Sequence, residues 1–119
     1  MRKTAKTIAT ASAIAVLLGS FTLAPVVASA DAAAGKKVAE NRKKGNCFAC
    51  HAYQGAKLPG NIGPPLVAMK ARFPDRAKLV KQLEDPQSNN PDTLMPPYGK
   101  HEIISKKDIQ NIVDWLYTL

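Results

Sequence analysis

Two thiols and an imidazole stand together in Cys47-Phe48-Ala49-Cys50-His51. A C-x-x-C pair followed at once by His is the attachment signature of a c-type haem. Cysteines at this spacing reach the two vinyl groups of one porphyrin from a single helical turn. The adjoining imidazole is then placed to ligate the iron through a ring nitrogen. Three other chemistries share parts of the pattern. A redox dithiol uses C-x-x-C after a strand of a βαβ unit, and no such unit surrounds this one. Structural zinc asks for four ligands. Beyond Cys47, Cys50 and His51 the chain offers only His101 and carboxylates, with no second C-x-x-C. A plain disulfide leaves His51 without a task.

A haem iron commonly takes a second protein ligand, and His/Met pairs are a known arrangement. Met95 lies in Thr93-Leu94-Met95-Pro96-Pro97. A long loop carrying it can fold over the far haem face, and the flanking prolines remove conformational freedom that a weak neutral ligand would otherwise lose on binding. Met69, beside Leu66 and Val67, reads instead as core filler. His101, in the polar stretch Gly99-Lys100-His101-Glu102, is the rival ligand; a His/His pair would lower the potential relative to His/Met.

The elements that must position these groups read as helices joined by Pro/Gly loops. Residues 31–44, rich in Ala, Lys and Glu, predict a first helix, with Asp31 at its cap and Gly45 at its stop. Cys47–Ala52 predicts a short helical turn inside a loop punctuated by Gly55, Pro59, Gly60, Gly63, Pro64 and Pro65. Leu66–Arg72 predicts a short helix, and Pro74–Glu84 a longer one with Leu79, Val80 and Leu83 on one face. Residues 85–104 read as a long Pro-rich loop, which is usually functional. Ser105 and Asp108 open the last helix as a capping box. Ile109, Ile112, Val113 and Leu116 give its apolar stripe. Phe48, Leu58, Ile62, Leu66, Leu94, Ile112, Val113 and Leu116 are the expected pocket lining. No strand pattern or internal repeat is evident.

The chain has 119 residues with 17 Lys+Arg against 9 Asp+Glu, a net charge of +8. That length accommodates one domain. The 45% hydrophobic and 22% charged fractions exclude a disordered acidic tail, a collagen and a multi-span membrane protein. Residues 1–30 have the layout of a cleaved secretory signal peptide: Arg2, Lys3 and Lys6, an apolar run from Ile8 to Leu18, and the small-x-small site Ala28-Ser29-Ala30. Its removal leaves a domain at 31–119 of 89 residues and net charge +5. A chain that small often relies on a cofactor to complete its core. Its surplus of lysines fits steering toward acidic partners. An exported setting, the periplasm, is where c-type haem is attached. No candidate nucleophile remains once Cys47 and Cys50 are engaged, and no Ser/His/Asp set or carboxylate pair stands out.

Across nearly all of 31–119 the sequence resembles class I cytochromes c. Gly35-Lys36-Lys37-Val38 is similar to the family's first helix, Gly63-Pro64-Pro65-Leu66 to its proline loop, Met95-Pro96-Pro97 to its distal ligand loop and Val113-Asp114-Trp115-Leu116 to its last helix. The resemblance implies an all-α fold of three to four helices around one covalent haem c. It implies Cys47 and Cys50 as attachment points, His51 as proximal and Met95 as distal ligand, and Pro64 as the carbonyl that orients His51. The chain departs from the family at Ala39, where an aromatic is common, and in a long insert at residues 40–46. A closer resemblance is to the SoxX family, the monohaem subunits of thiosulfate-oxidising SoxAX cytochromes. It is carried by Arg42-Lys43-Lys44-Gly45-Asn46-Cys47, Leu58-Pro59-Gly60-Asn61-Ile62-Gly63-Pro64-Pro65-Leu66, Ala71-Arg72-Phe73-Pro74-Asp75-Arg76 and Met95-Pro96-Pro97-Tyr98-Gly99. That resemblance implies a SoxA-like catalytic partner, a SoxYZ-like carrier protein reached through the complex, and a soluble cytochrome as electron acceptor. The alternative expectation is a free soluble monohaem shuttle.

Overall fold

The computed structural model describes residues 31–119. The expected signal peptide, residues 1–30, lies outside them. Four α-helices follow one another: α1 (Ala32–Glu40), α2 (Met69–Arg72), α3 (Arg76–Glu84) and α4 (Lys106–Leu116), with single 3-10 turns at Cys47–Ala49 and Pro86–Ser88. Among the described residues there is no strand, and no helix is long and apolar enough to cross a membrane. The fold is all-α, as the sequence predicts.

Helix α1 starts where Asp31 accepts from the amides of Ala33 and Ala34 at 2.9 and 3.1 Å. It ends four residues before the expected Lys44. Asn41 accepts from the Lys43 amide at 2.8 Å, and this local side-chain bond competes with the helix. The amides of Asn41 and Gly45 both return to the Val38 carbonyl, which closes the chain into tight turns. Helix α2 starts later than expected, at Met69. Pro64 and Pro65 hold the preceding chain extended, and Ala68 is left-handed with φ 49°. Helix α3 is capped by Asp75, whose side chain accepts from the Ala77 amide at 2.9 Å, so Pro74 lies outside it. In α4 the Ser105 hydroxyl accepts from the Asp108 amide at 3.0 Å. The Asp108 carboxylate turns to Lys44 instead of completing the box.

The core is the crossing of α1 and α4. The expected stripe Ile109, Ile112, Val113 and Leu116 is buried there, together with Val38, Ala39 and Trp115. Gly35 sits at the closest approach. A Cβ on it would meet the Asn111 carbonyl and lie 2.8 Å from the Ile112 nitrogen, so the two backbones touch. Ala39, where the family resemblance leads one to expect an aromatic, is likewise pressed into the interface at 1% exposure. An aromatic from elsewhere lies beside this crossing: Tyr53 meets Trp115 edge-on with ring centroids 5.1 Å apart. Helix α3 is fixed to α4 by the Arg76–Asp114 ion pair and by Arg76 bonds to the Gln110 carbonyl and side-chain oxygen at 3.1 and 3.0 Å. Tyr117 Oη donates to the Phe73 carbonyl at 2.8 Å, which fastens the end of α4 beside α2.

Candidate functional site

The 3-10 turn at Cys47–Ala49 is entered through Asn46, which is left-handed at φ 47°. The amides of Cys50 and His51 both bond the Cys47 carbonyl, at 3.2 and 2.9 Å. The turn therefore places two thiols and the imidazole within one revolution of chain. The loop that follows folds back on it: the Gly60 amide bonds the Phe48 carbonyl at 2.7 Å, Gly63 bonds Cys50 at 2.8 Å and Leu66 bonds Ala52 at 2.7 Å. A side chain at Gly63 would stand 2.6 Å from His51 Nδ1 and 2.9 Å from Nε2. Glycine there is what lets the imidazole lie against the loop.

His51 Nδ1 lies 2.6 Å from the Pro64 carbonyl oxygen. A carbonyl only accepts, so Nδ1 carries the proton and Nε2 is left with its lone pair. That is the tautomer a metal ligand needs, and the outer hydrogen bond fixes the ring plane. Pro65 is held in turn by Arg72, whose Nη1 donates to its carbonyl at 2.7 Å.

Facing this loop is the second one. Met95 is anchored by its amide to Thr93 Oγ1 at 3.2 Å and by its carbonyl to Gln87 Nε2 at 3.3 Å. Tyr98 joins the two loops: its buried hydroxyl donates to the Gly45 carbonyl at 2.6 Å. Burial pushes the Tyr98 phenol well above its ordinary range, with the neighbouring Cys47 and Cys50 thiols adding to the rise, so it stays a donor.

Between the loops is a cavity of about 380 Å³. Cys47, Cys50, His51 and Met95 all line it, with an apolar wall that includes Ile62, Leu66, Leu79, Leu83 and Ile112. Two thiols on one wall, an imidazole with a free Nε2 and a thioether suit a c-type haem in donor type, and the apolar lining suits a porphyrin. Burial pushes the Cys47 thiol up to about 11, the opposite of the lowered value that makes a dithiol reactive. Among the described residues the cysteines form no disulfide, and no three His, Cys, Asp or Glu side chains converge as a zinc cage would.

Several expected residues lie elsewhere. Leu58 is 91% exposed and left-handed at φ 53°, Phe48 takes the Arg42 guanidinium over its ring at 5.9 Å, and Val113 is buried in the α1–α4 core. None of the three lines the cavity, whereas Ile62, Leu66, Leu94, Ile112 and Leu116 do. Met69 is core, as expected, but also forms part of the cavity wall. His101 is exposed and outside the lining. Sequence reasoning missed Gln82, Arg72 and Tyr98 as cavity residues. The signal for Gln82 was its place between Leu79 and Leu83 on one face of α3.

Residues 30–116 match the family model described as cytochrome c oxidase, cbb3-type, subunit III. Over 76 residues the chain is 33% identical to an uncharacterised lipoprotein of Aquifex aeolicus strain VF5, covering 63% of this chain and 37% of that protein. The chain thus spans about a third of that relative's length. Its fold is similar to the crystal structure of SoxXA from P. pantotrophus, with a TM-score of 0.67 and 22% identity over 74% of this chain and 80% of that one. The family's members are electron-transfer proteins with covalently bound haem c. Because the family match takes in nearly the whole described chain, the protein belongs to the class I c-type cytochromes, and its fold is like that of SoxXA.

Proposed function

We propose that the mature chain, from about residue 31 onward, is an exported, periplasmic cytochrome c with one haem, acting as the electron-transfer subunit of a SoxAX-type sulfur-oxidising complex. What carries the reading is the convergence of Cys47, Cys50, His51 and Met95 on one cavity, with His51 Nδ1 held at 2.6 Å by Pro64. Cys47 and Cys50 would hold the porphyrin through thioethers, His51 and Met95 would ligate the iron, and Pro64 keeps the His51 ring in the ligating tautomer. When bound, the haem supplies a one-electron Fe(III)/Fe(II) couple. With both His51 and Met95 as ligands the iron would have no open position for a substrate, so the part of this chain would be to pass electrons. The apolar wall and the soft Met95 sulfur favour the reduced form and raise the potential.

The sulfur chemistry belongs to a partner. Support for that partner is the SoxX-like motif set and the likeness of fold to SoxXA. In this reading a SoxA-like subunit joins thiosulfate to a cysteine of a SoxYZ-like carrier. The two electrons released leave one at a time through this chain to a soluble cytochrome. The test is purification of the native protein with haem counting. One haem per chain, together with a haem-bearing partner that carries a cysteine persulfide, is the expected result. A lone monomer of about 89 residues with no haem partner overturns the complex and leaves the free shuttle.

A further inference from the structure

Asn111 is the one polar residue buried in the core among the described residues, at 6% exposure. It stands on α4 beside Ile112, where α1 and α4 touch. A Cβ on Gly35 would collide with its carbonyl oxygen, so its main chain meets the middle of α1. Its side chain reaches one turn further back along α1, where the Asp31 nitrogen donates to Asn111 Oδ1 at 3.1 Å. The Gly35 amide in turn bonds the Asp31 carbonyl at 2.8 Å. An amide oxygen this deeply buried is costly without a donor, and its donor is the nitrogen of residue 31.

That nitrogen is also the one that removal of residues 1–30 would set free. Ala28-Ser29-Ala30 is the small-x-small pattern that precedes such a cut. We infer that the leader is cut between Ala30 and Asp31 and that Asn111 is the receptor for the amine so released, locking the mature N-terminus onto α4. The inference rests on residues 1–30 being a cleaved signal peptide. Hydrolysis of the Ala30–Asp31 peptide bond takes up one water. Its oxygen completes a carboxylate on Ala30, and its two protons make the Asp31 nitrogen an ammonium. An ammonium donates to Asn111 Oδ1 more strongly than a neutral amide does. A positive charge at a helix start opposes the helix dipole, and the Asp31 carboxylate, which caps the Ala33 and Ala34 amides, offsets it. Neither neighbouring bond would serve. A cut one residue earlier leaves the Asp31 nitrogen a neutral amide, and a cut one residue later removes the cap of α1.

The test expresses the full chain in cells that export and haem-load it, and purifies the holoprotein. Intact mass is expected to place the first residue at Asp31. The α-amine is then labelled with an amine-reactive ester near neutral pH, where it reacts ahead of lysines because its pKa is lower, and the label is located by peptide mass. Folded wild-type protein is expected to label more slowly than the denatured chain, by roughly two- to tenfold, the weight of one hydrogen bond; equal rates overturn the receptor. Two variants push in opposite directions. Asn111→Ala removes the acceptor and is expected to speed labelling of the folded protein by a similar factor. Asn111→Asp puts a carboxylate in its place and is expected to slow it. An asparagine that merely filled space would loosen the crossing in both variants and speed both. Faster or unchanged labelling in Asn111→Asp therefore overturns the receptor, as does an unchanged rate in Asn111→Ala. A holoprotein cut at another bond overturns the assigned cut and leaves the signal peptide standing. A holoprotein that keeps residues 1–30 overturns the signal peptide and the inference built on it.

Discussion

The α1–α4 crossing and the paired loops around the cavity are built from opposite materials. The crossing is apolar side chains at helical spacing with two backbones in contact at Gly35. The loops have almost no repeating structure and are held by single polar contacts to main-chain oxygens: His51 to Pro64, Arg72 to Pro65, Tyr98 to Gly45, Gln87 to Met95. The first region resists any gain in size. The second resists the loss of a donor. A domain of this size can thus set a cradle of polar-tied loops directly against an apolar brace, with Ile112 and Leu116 belonging to both.

Substitutions can separate the two materials, beginning with the largest effect. Gly35→Val drives a side chain into the Asn111 carbonyl, and neither backbone can withdraw without parting the helices. The expected loss is about 3 kcal/mol or more, read as a collapse of the denaturant midpoint; a loss under about 1 kcal/mol would deny that the crossing is a close backbone contact. His51→Ala leaves the brace intact and should abolish accumulation of haem-loaded protein, measured by haem staining against total chain. Met95→Ala should keep the haem attached, lower the potential and open the iron to added ligands, seen in visible spectra and redox titration. Tyr98→Phe leaves the buried Gly45 carbonyl without its donor and should cost about 1–3 kcal/mol in denaturant unfolding while the ligand set is unchanged. The smallest effect tests the surface. If the lysine surplus steers docking, electron transfer to the acceptor slows as salt rises through the screening range; a flat rate would assign the charge to solubility alone.

The same contrast explains what could be read from the residues. Helix α4 was legible because its cap and its apolar stripe are local signals, and Ser105, Ile109, Ile112, Val113 and Leu116 all stand where that stripe puts them. The C-x-x-C-H turn was legible because its chemistry is contained in five consecutive residues. The end of α1 was not, since an Asx contact at Asn41 outweighed the helix propensity of Arg42, Lys43 and Lys44. Nor was the direction of loop hydrophobics: Leu58 and Ile62 are alike in type, yet only Ile62 meets the cavity, because loop backbone angles, not periodicity, aim them. Gln82 was hidden for a related reason. A polar residue on an apolar helix face looks like a flaw until the cavity beside it is in view.

The Tyr98 hydroxyl does more than satisfy a carbonyl. It is a tie-bar between the chain that enters the attachment turn and the chain that leaves Met95. Two jaws joined this way must break that bond, at a cost of about 1–3 kcal/mol, before they part or shear. Electrons cross fastest between states of nearly the same shape, because little nuclear rearrangement has to precede the jump. In the proposed haem-loaded protein, a phenol that ties the two sides of the cavity together would oppose that rearrangement.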